Sequence, residues 1–176
     1  MLHQQLVIQQ APFFGAPTTV EKLRRAVADS QSHYALRQLV EDICDGLASK
    51  DYLSEALAIY HFVLARTRYM RDPRHIELVK APYIVAEQIL AGKRPSVDCD
   101  DVACFLCGLL QLAGHTVRVV TVAFKDSFYK GERQYSHIFC QVQEPRTGKW
   151  ITLDPVAHQG TRGMHGRIVA AKIWPL

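Results

Sequence analysis

One run, VDCDDVACFLCGLLQLAG from Val97 to Gly114, constrains this chain more than any other. Asp98 stands where a helix N-cap belongs, and Gly114 where a helix closes in the left-handed conformation. From Val102 to Ala113 the side chains are apolar on nearly every face, and only Gln111 breaks the series. A helix of that kind cannot lie on a surface; it has to be central and covered all round. It is also far short of the ~20 residues that span a bilayer. Directly after Gly114 the pattern changes. TVRVVTVAF, Thr116 to Phe124, is rich in β-branched residues and predicts a strand. A buried helix feeding a strand needs further helices and strands to cover it, and 176 residues suffice for one such core.

The covering elements are legible on both sides. Thr18 with Glu21 three residues later has the form of a capping box. Leu23, Ala26 and Val27, then Leu36, Leu39, Val40 and Ile43, recur at helical spacing, and Asp29 to Ser32 divides them into two helices. Ser54 to Arg68 predicts a third helix, stopped before Pro73. Pro82 to Ala91 predicts a fourth, with proline in its first turn and Gly92 after its end. Downstream, Lys125 to Arg133 reads as a polar loop. Gln134 to Gln143 alternates, with Tyr135, His137 and Phe139 on one face and Ile138, Cys140 and Val142 on the other. Glu144 to Gly148 is a turn, and Trp150 to Leu153 a returning strand. Helices first and strands second predict an α+β domain of three or four antiparallel strands, with the central helix, residues 99–113, packed on the sheet. Residues 1–17, holding Phe13 and Phe14 among prolines, read as an extended arm whose rings dock elsewhere. Residues 18–155 read as the domain. Residues 156–176, with Gly160, Gly163 and Gly166, read as a basic tail lying outside the core.

Composition narrows the function classes. Hydrophobic residues make up 48% and charged residues 22%, as in an ordinary globular protein. The net charge of +4 is mild and is no nucleic-acid signature. The N-terminus lacks the basic and apolar regions of a secretory signal. Five cysteines, Cys44, Cys99, Cys104, Cys107 and Cys140, are an odd number without a secretory context, which points to free thiols.

Cys99 falls at the start of the buried helix, where free backbone N–H groups and the helix dipole favour a thiolate. Asp98, Asp100 and Asp101 work against that and raise the thiol's pKa unless they point away, so a histidine is required to activate it. His137 lies on a strand and Asp154 just beyond the next one. In the hairpin register that sets 137 opposite 154 or 156, the two share a face. The carboxylate would then orient the imidazole, leaving its other nitrogen for Cys99. Each residue also has an ordinary alternative: an inert buried thiol, a satisfied strand histidine, an Asp-Pro turn. Cys104 and Cys107 form a C-x-x-C that would bind metal or cycle as a dithiol, with Cys140, or Cys99 and His137, as further ligands. Core packing is the simpler reading of that pair.

VDCDDVACFLCGLLQLAGHTVRVVTV, YSHIFCQV and WITLDP, in this order and spacing, resemble the core of transglutaminase-like proteins, relatives of the papain-like cysteine enzymes. TRYMRDPRHIELVKAP upstream resembles the version found in bacteriophage and prophage proteins. The resemblance implies a papain-like fold with Cys99 as nucleophile, His137 as base and Asp154 as its orienter. It implies acyl transfer through a thioester, ending in hydrolysis or transamidation of a peptide or amide, without a metal or other cofactor. Ser96-Val97 replaces the glycine that often precedes the cysteine. Gln88 and Tyr83 are the candidates for the side chain completing the oxyanion hole. Expected partners are a peptide or protein substrate, cell-wall peptide included, and other phage structural proteins through the terminal arms. The expected setting is a bacterial cytoplasm or a phage particle. The alternative is a virion or tail component that uses the fold for assembly.

Overall fold

A computed structural model describes residues 15–71, 79–156 and 167–176. The expected docking of Phe13 and Phe14, Pro73, and Gly160, Gly163 and Gly166 lie outside the described residues.

The first helix, α1, spans Ala16–Ser30. It starts ahead of the anticipated capping box. Pro17 in the first turn presets the helical φ, and the Gly15 carbonyl accepts the Thr18 N–H at 3.0 Å, so Thr18 is inside the helix and caps nothing. The first helix therefore begins at 16, two residues before the anticipated cap. After a break come α2, Tyr34–Cys44, and α3, Tyr52–Arg66. Asp51 caps α3, accepting the Ser54 N–H at 3.2 Å and the Ser54 hydroxyl at 2.7 Å. The helix stops two residues before the expected end. Thr67 turns out of it, both its N–H and its hydroxyl bonding the Val63 carbonyl. The freed backbone forms β1, Arg68–Tyr69. The short helix α4 covers Pro82–Leu90, and β2 covers Ser96–Val97.

The central helix α5 runs Cys99–Leu112. Asp98 caps it through a 3.2 Å bond from the Asp101 N–H, and Gly114 closes it at φ +89°. Every residue from Asp100 to Leu110 is buried. Each large apolar side chain so covered contributes about 1.5–3 kcal/mol. Helices α1 to α4 pack on α5 from one side. Gly108 permits the approach of α4: a Cβ there would sit 2.8 Å from Pro82 Cβ and Cγ.

The sheet covers the other side. Its strands are β3 (Val117–Ala123), β6 (His137–Gln143), β7 (Trp150–Leu153) and β8 (Ala170–Pro175). They lie in the order β7-β6-β3-β8, all antiparallel. Val117, Val119, Ile138, Cys140, Val142 and Leu153 join α5 in the core, as the alternation of β6 predicts. The loop after β3 is more ordered than expected: β4 (Phe128–Tyr129) and β5 (Glu132–Arg133) make a small hairpin with both aromatics exposed.

The tail reading of residues 156–176 needs correction. Residues 170–175 are an edge strand of the main sheet, with Val119 opposite Trp174. Trp174 donates its indole N–H to Thr121 Oγ1 at 2.9 Å, and Arg24 of α1 bonds the Pro175 carbonyl. The α+β architecture, with the buried helix on an antiparallel sheet, is as the sequence predicts.

Candidate active site

The site is assembled where the N-terminus of α5 meets the start of β6. Strand β2 leads into the Asp98 cap, which places Cys99 in the first turn of the helix. The backbone amides of Cys99 itself and of Ile138, the residue after His137, favour the thiolate form of the Cys99 sulfur. One nucleophile candidate is thus brought against the strand that carries the candidate base.

His137 is buried, and its Nε2 lies 2.7 Å from Asp154 Oδ2. The β6–β7 pairing explains the distance. Cys140 pairs with Leu153 and Gln143 with Trp150. Extending that register sets Asp154 opposite Phe139 and 156 opposite His137, so His137 and Asp154 are diagonal neighbours on one face. The second carboxylate oxygen, Oδ1, accepts the Val156 N–H at 3.1 Å. An ionised carboxylate can only accept, so Nε2 carries the proton and Nδ1 keeps its lone pair. Nδ1 is buried and has no hydrogen-bond partner among the described residues. Phe124 lies nearly parallel to the imidazole at 6.4 Å and Phe139 is tilted against it at 5.9 Å, limiting water around the pair.

The three aspartates behave as the sequence warned. Burial raises the Cys99 thiol well above its ordinary pKa, and the charges of Asp100 and Asp98 raise it further. The amides of Ile138 and Cys99 oppose this without reversing it. The helix dipole is shared with a carboxylate already seated on it, since Asp98 caps the Asp101 N–H. A thiol in this setting does not ionise unaided near neutrality; it needs a proton acceptor and a cation beside it. Asp101 is engaged elsewhere. Its buried carboxylate takes the Lys80 amide N–H at 2.7 Å and the Lys80 ammonium, tying residues 79–80 to the helix start. Asp98, Asp100 and Asp101 are close enough to hold a cation, but with Lys80 already on Asp101 the cluster has an internal counterion.

The two candidates for the side chain completing the oxyanion hole, Tyr83 and Gln88, lie on α4. Tyr83 stacks on His33 at 4.4 Å, and no hydrogen bond or ring contact among the described residues brings it or Gln88 to Cys99. Tyr69 is the aromatic whose backbone pairs beside the nucleophile's approach. Strands β1 and β2 are parallel, with Tyr69 opposite Val97, two residues before the cysteine. Burial raises the Tyr69 pKa first and the Cys99 charge next, while a hydrogen bond from Arg71 lowers it. A two-residue parallel ladder has no periodicity to read, and only the Tyr-Met-Arg sequence after a helix hinted at it.

The C-x-x-C thiols do not act as a pair. The Cys104 sulfur faces the Leu23 carbonyl at 3.9 Å, whereas Cys107 meets Cys140 at 3.3 Å, sulfur to sulfur. All three are buried in the core, so the dithiol and metal readings of Cys104 with Cys107 give way to packing. The Cys104 sulfur lies against α1 and the Cys107 sulfur against β6, each filling its own contact in the core.

Comparison with known proteins bears on this arrangement. The family model of the transglutaminase-like superfamily matches residues 37–155. Among solved structures, a proposed protease from Parabacteroides distasonis superposes with a TM-score of 0.57 at 14% identity, over 77% of this chain and 26% of that one. A proposed cysteine protease from Cytophaga hutchinsonii gives 0.49 at 15% identity, over 97% of this chain and 57% of that one. The chain thus spans about a quarter of the first protein's length and just over half of the second's. No curated protein sequence matches the chain significantly. The family match covers most of the helical layer and the sheet as far as the residue after Asp154, and on that match the chain belongs to the transglutaminase-like superfamily.

Proposed function

We propose that this protein is a cysteine-dependent amide hydrolase or acyltransferase acting on a peptide or protein carbonyl, with Cys99 as nucleophile, His137 as base and Asp154 as orienter. One observation carries the reading. His137 gives Nε2 to Asp154 and keeps a buried Nδ1 with no hydrogen-bond partner among the described residues, one residue from the Ile138 amide that favours the Cys99 thiolate.

The chemistry follows from those groups. The Cys99 proton passes to Nδ1, and the imidazolium is stabilised by Asp154. The sulfur attacks the carbonyl carbon, and the electron pair of the C=O moves to oxygen. The Cys99 N–H and the Tyr69 hydroxyl are the donors for that oxyanion. Collapse returns the pair, expels the amine, and His137 gives it the proton. Water or a second amine then attacks the thioester, with His137 again as base, which ends in hydrolysis or transamidation. A phage or prophage setting rests on the upstream sequence resemblance; the alternative, a structural component of the particle that uses the fold mainly for assembly, rests on the terminal segments.

Iodoacetamide labelling against pH, with peptide mapping, tests the proposal in the wild type and His137→Ala. Selective labelling of Cys99 near neutrality, lost in the variant, is the expected result. Uniformly slow labelling of all five thiols, unchanged by the substitution, would remove the enzyme reading and favour the assembly role.

A further inference from the structure

We infer that Tyr60 is a positioning residue for the Cys–His–Asp group, fixing the backbone that aims Asp154 at His137; the inference rests on the function proposed above. Asp154 lies just past the end of β7, and β7 is an edge strand. The last pair in its ladder is Leu153 with Cys140. Beyond it the sheet no longer sets the backbone, yet the carboxylate must stay within hydrogen-bonding distance of a buried imidazole. The fold supplies a clamp from the opposite layer. Tyr60 of α3 is buried, and its hydroxyl donates to the Asp154 carbonyl at 3.2 Å. Helix α3 is itself seated in the core through Ala56, Ile59 and Val63 and packs on α5. The nucleophile helix and the orienting carboxylate are thereby referred to the same helical layer.

The clamp is insensitive to pH over the range in which a thiol enzyme works. Burial, and then the charge of Asp154, push Tyr60 up to about 12, so the hydroxyl keeps its proton. The two ends of Asp154 have separate duties. The carbonyl is held by Tyr60, while the carboxylate is divided between His137 and the Val156 N–H. Removing the Tyr60 hydroxyl leaves both carboxylate bonds possible but loosens the backbone from which they are made.

The test is a double-mutant cycle on Tyr60→Phe and Asp154→Asn, with the second-order rate of Cys99 alkylation by iodoacetamide between pH 5 and 9 as readout. Phenylalanine keeps the ring that fills the core, and urea unfolding checks that the variant is folded. One net hydrogen bond corresponds to a fall of roughly 3- to 10-fold in the rate at neutral pH for Tyr60→Phe. In the Asp154→Asn background the same change should have no further effect, because there is no longer a carboxylate to aim. Multiplicative losses in the double variant, or wild-type labelling in Tyr60→Phe, would overturn the inference. Wild-type labelling in Asp154→Asn would instead overturn the catalytic reading, and the inference with it. A slowed Asp154→Asn beside an unaffected Tyr60→Phe confines the failure to Tyr60.

Discussion

Asp101→Asn should change how stability depends on pH, and the size of the change follows from the site. Asp101 is fully buried in the first turn of α5, two residues after the nucleophile candidate. Burial, and then the charge of Asp98, lift its pKa from 3.8 to about 6, against the opposing pull of Lys80. The folded state therefore holds this proton more tightly than the unfolded chain does. Between those two values unfolding releases a proton, so stability falls as the pH rises. The full difference of 6 minus 3.8 corresponds to about 3 kcal/mol at 1.36 kcal/mol per pKa unit. Asparagine cannot titrate. It also gives up the ion pair with Lys80, but that loss is not itself a titration of the variant. Urea unfolding followed by tryptophan fluorescence gives both stabilities across pH. The wild-type stability minus that of Asp101→Asn should fall by about 2–3 kcal/mol from pH 4 to 7, most steeply between 4 and 6. A difference that stays flat or rises over this range would show that Lys80 keeps the carboxylate ionised in the folded state, and the account of burial would be wrong.

Other outcomes follow from the same geometry. Asp98→Ala should cost about 1 kcal/mol in urea unfolding by removing the α5 cap; it should also move Cys99 labelling to lower pH, since the lost carboxylate is one of those raising the thiol. Gly108→Ala should cost about 1–3 kcal/mol, because its Cβ meets the Pro82 ring at 2.8 Å and α4 has to shift; an unchanged denaturation midpoint would contradict that packing. Cys104, Cys107 and Cys140 should stay unlabelled in the native protein and react in urea, as mass mapping would show; labelling of any of them as fast as Cys99 would contradict their burial.

Much of this protein is written locally in its sequence. The apolar run after Asp98 determines α5 because no other element can bury side chains on every face, and its cap and closing glycine mark both ends. The β-branched run fixes β3, and the alternation around Ile138, Cys140 and Val142 fixes which face of β6 enters the core. From there a cysteine in the first turn of the helix, a histidine at the strand's start and an aspartate past the next strand already suggest one site. The boundaries erred where a local signal was outweighed: Pro17 started α1 before the capping box, and Thr67 folded back on Val63 to end α3 early.

Tertiary structure alone decided the rest. Strand β8 reads as a tail because its partner β3 lies far back in the chain and no turn signal announces the pairing. Tyr69 is brought opposite Val97, two residues before Cys99, by a parallel ladder too short to have a pattern. Tyr60 meets Asp154, and Lys80 meets Asp101, across separate layers. Cys104 and Cys107 look like one motif in the sequence, but their sulfurs meet different elements, α1 and β6. Periodicity and capping are short-range effects that a sequence displays directly. The aiming of a carboxylate or the raising of a thiol's pKa depends on which distant groups the packing brings within a few ångströms, and that is settled only when the helical layer closes on the sheet.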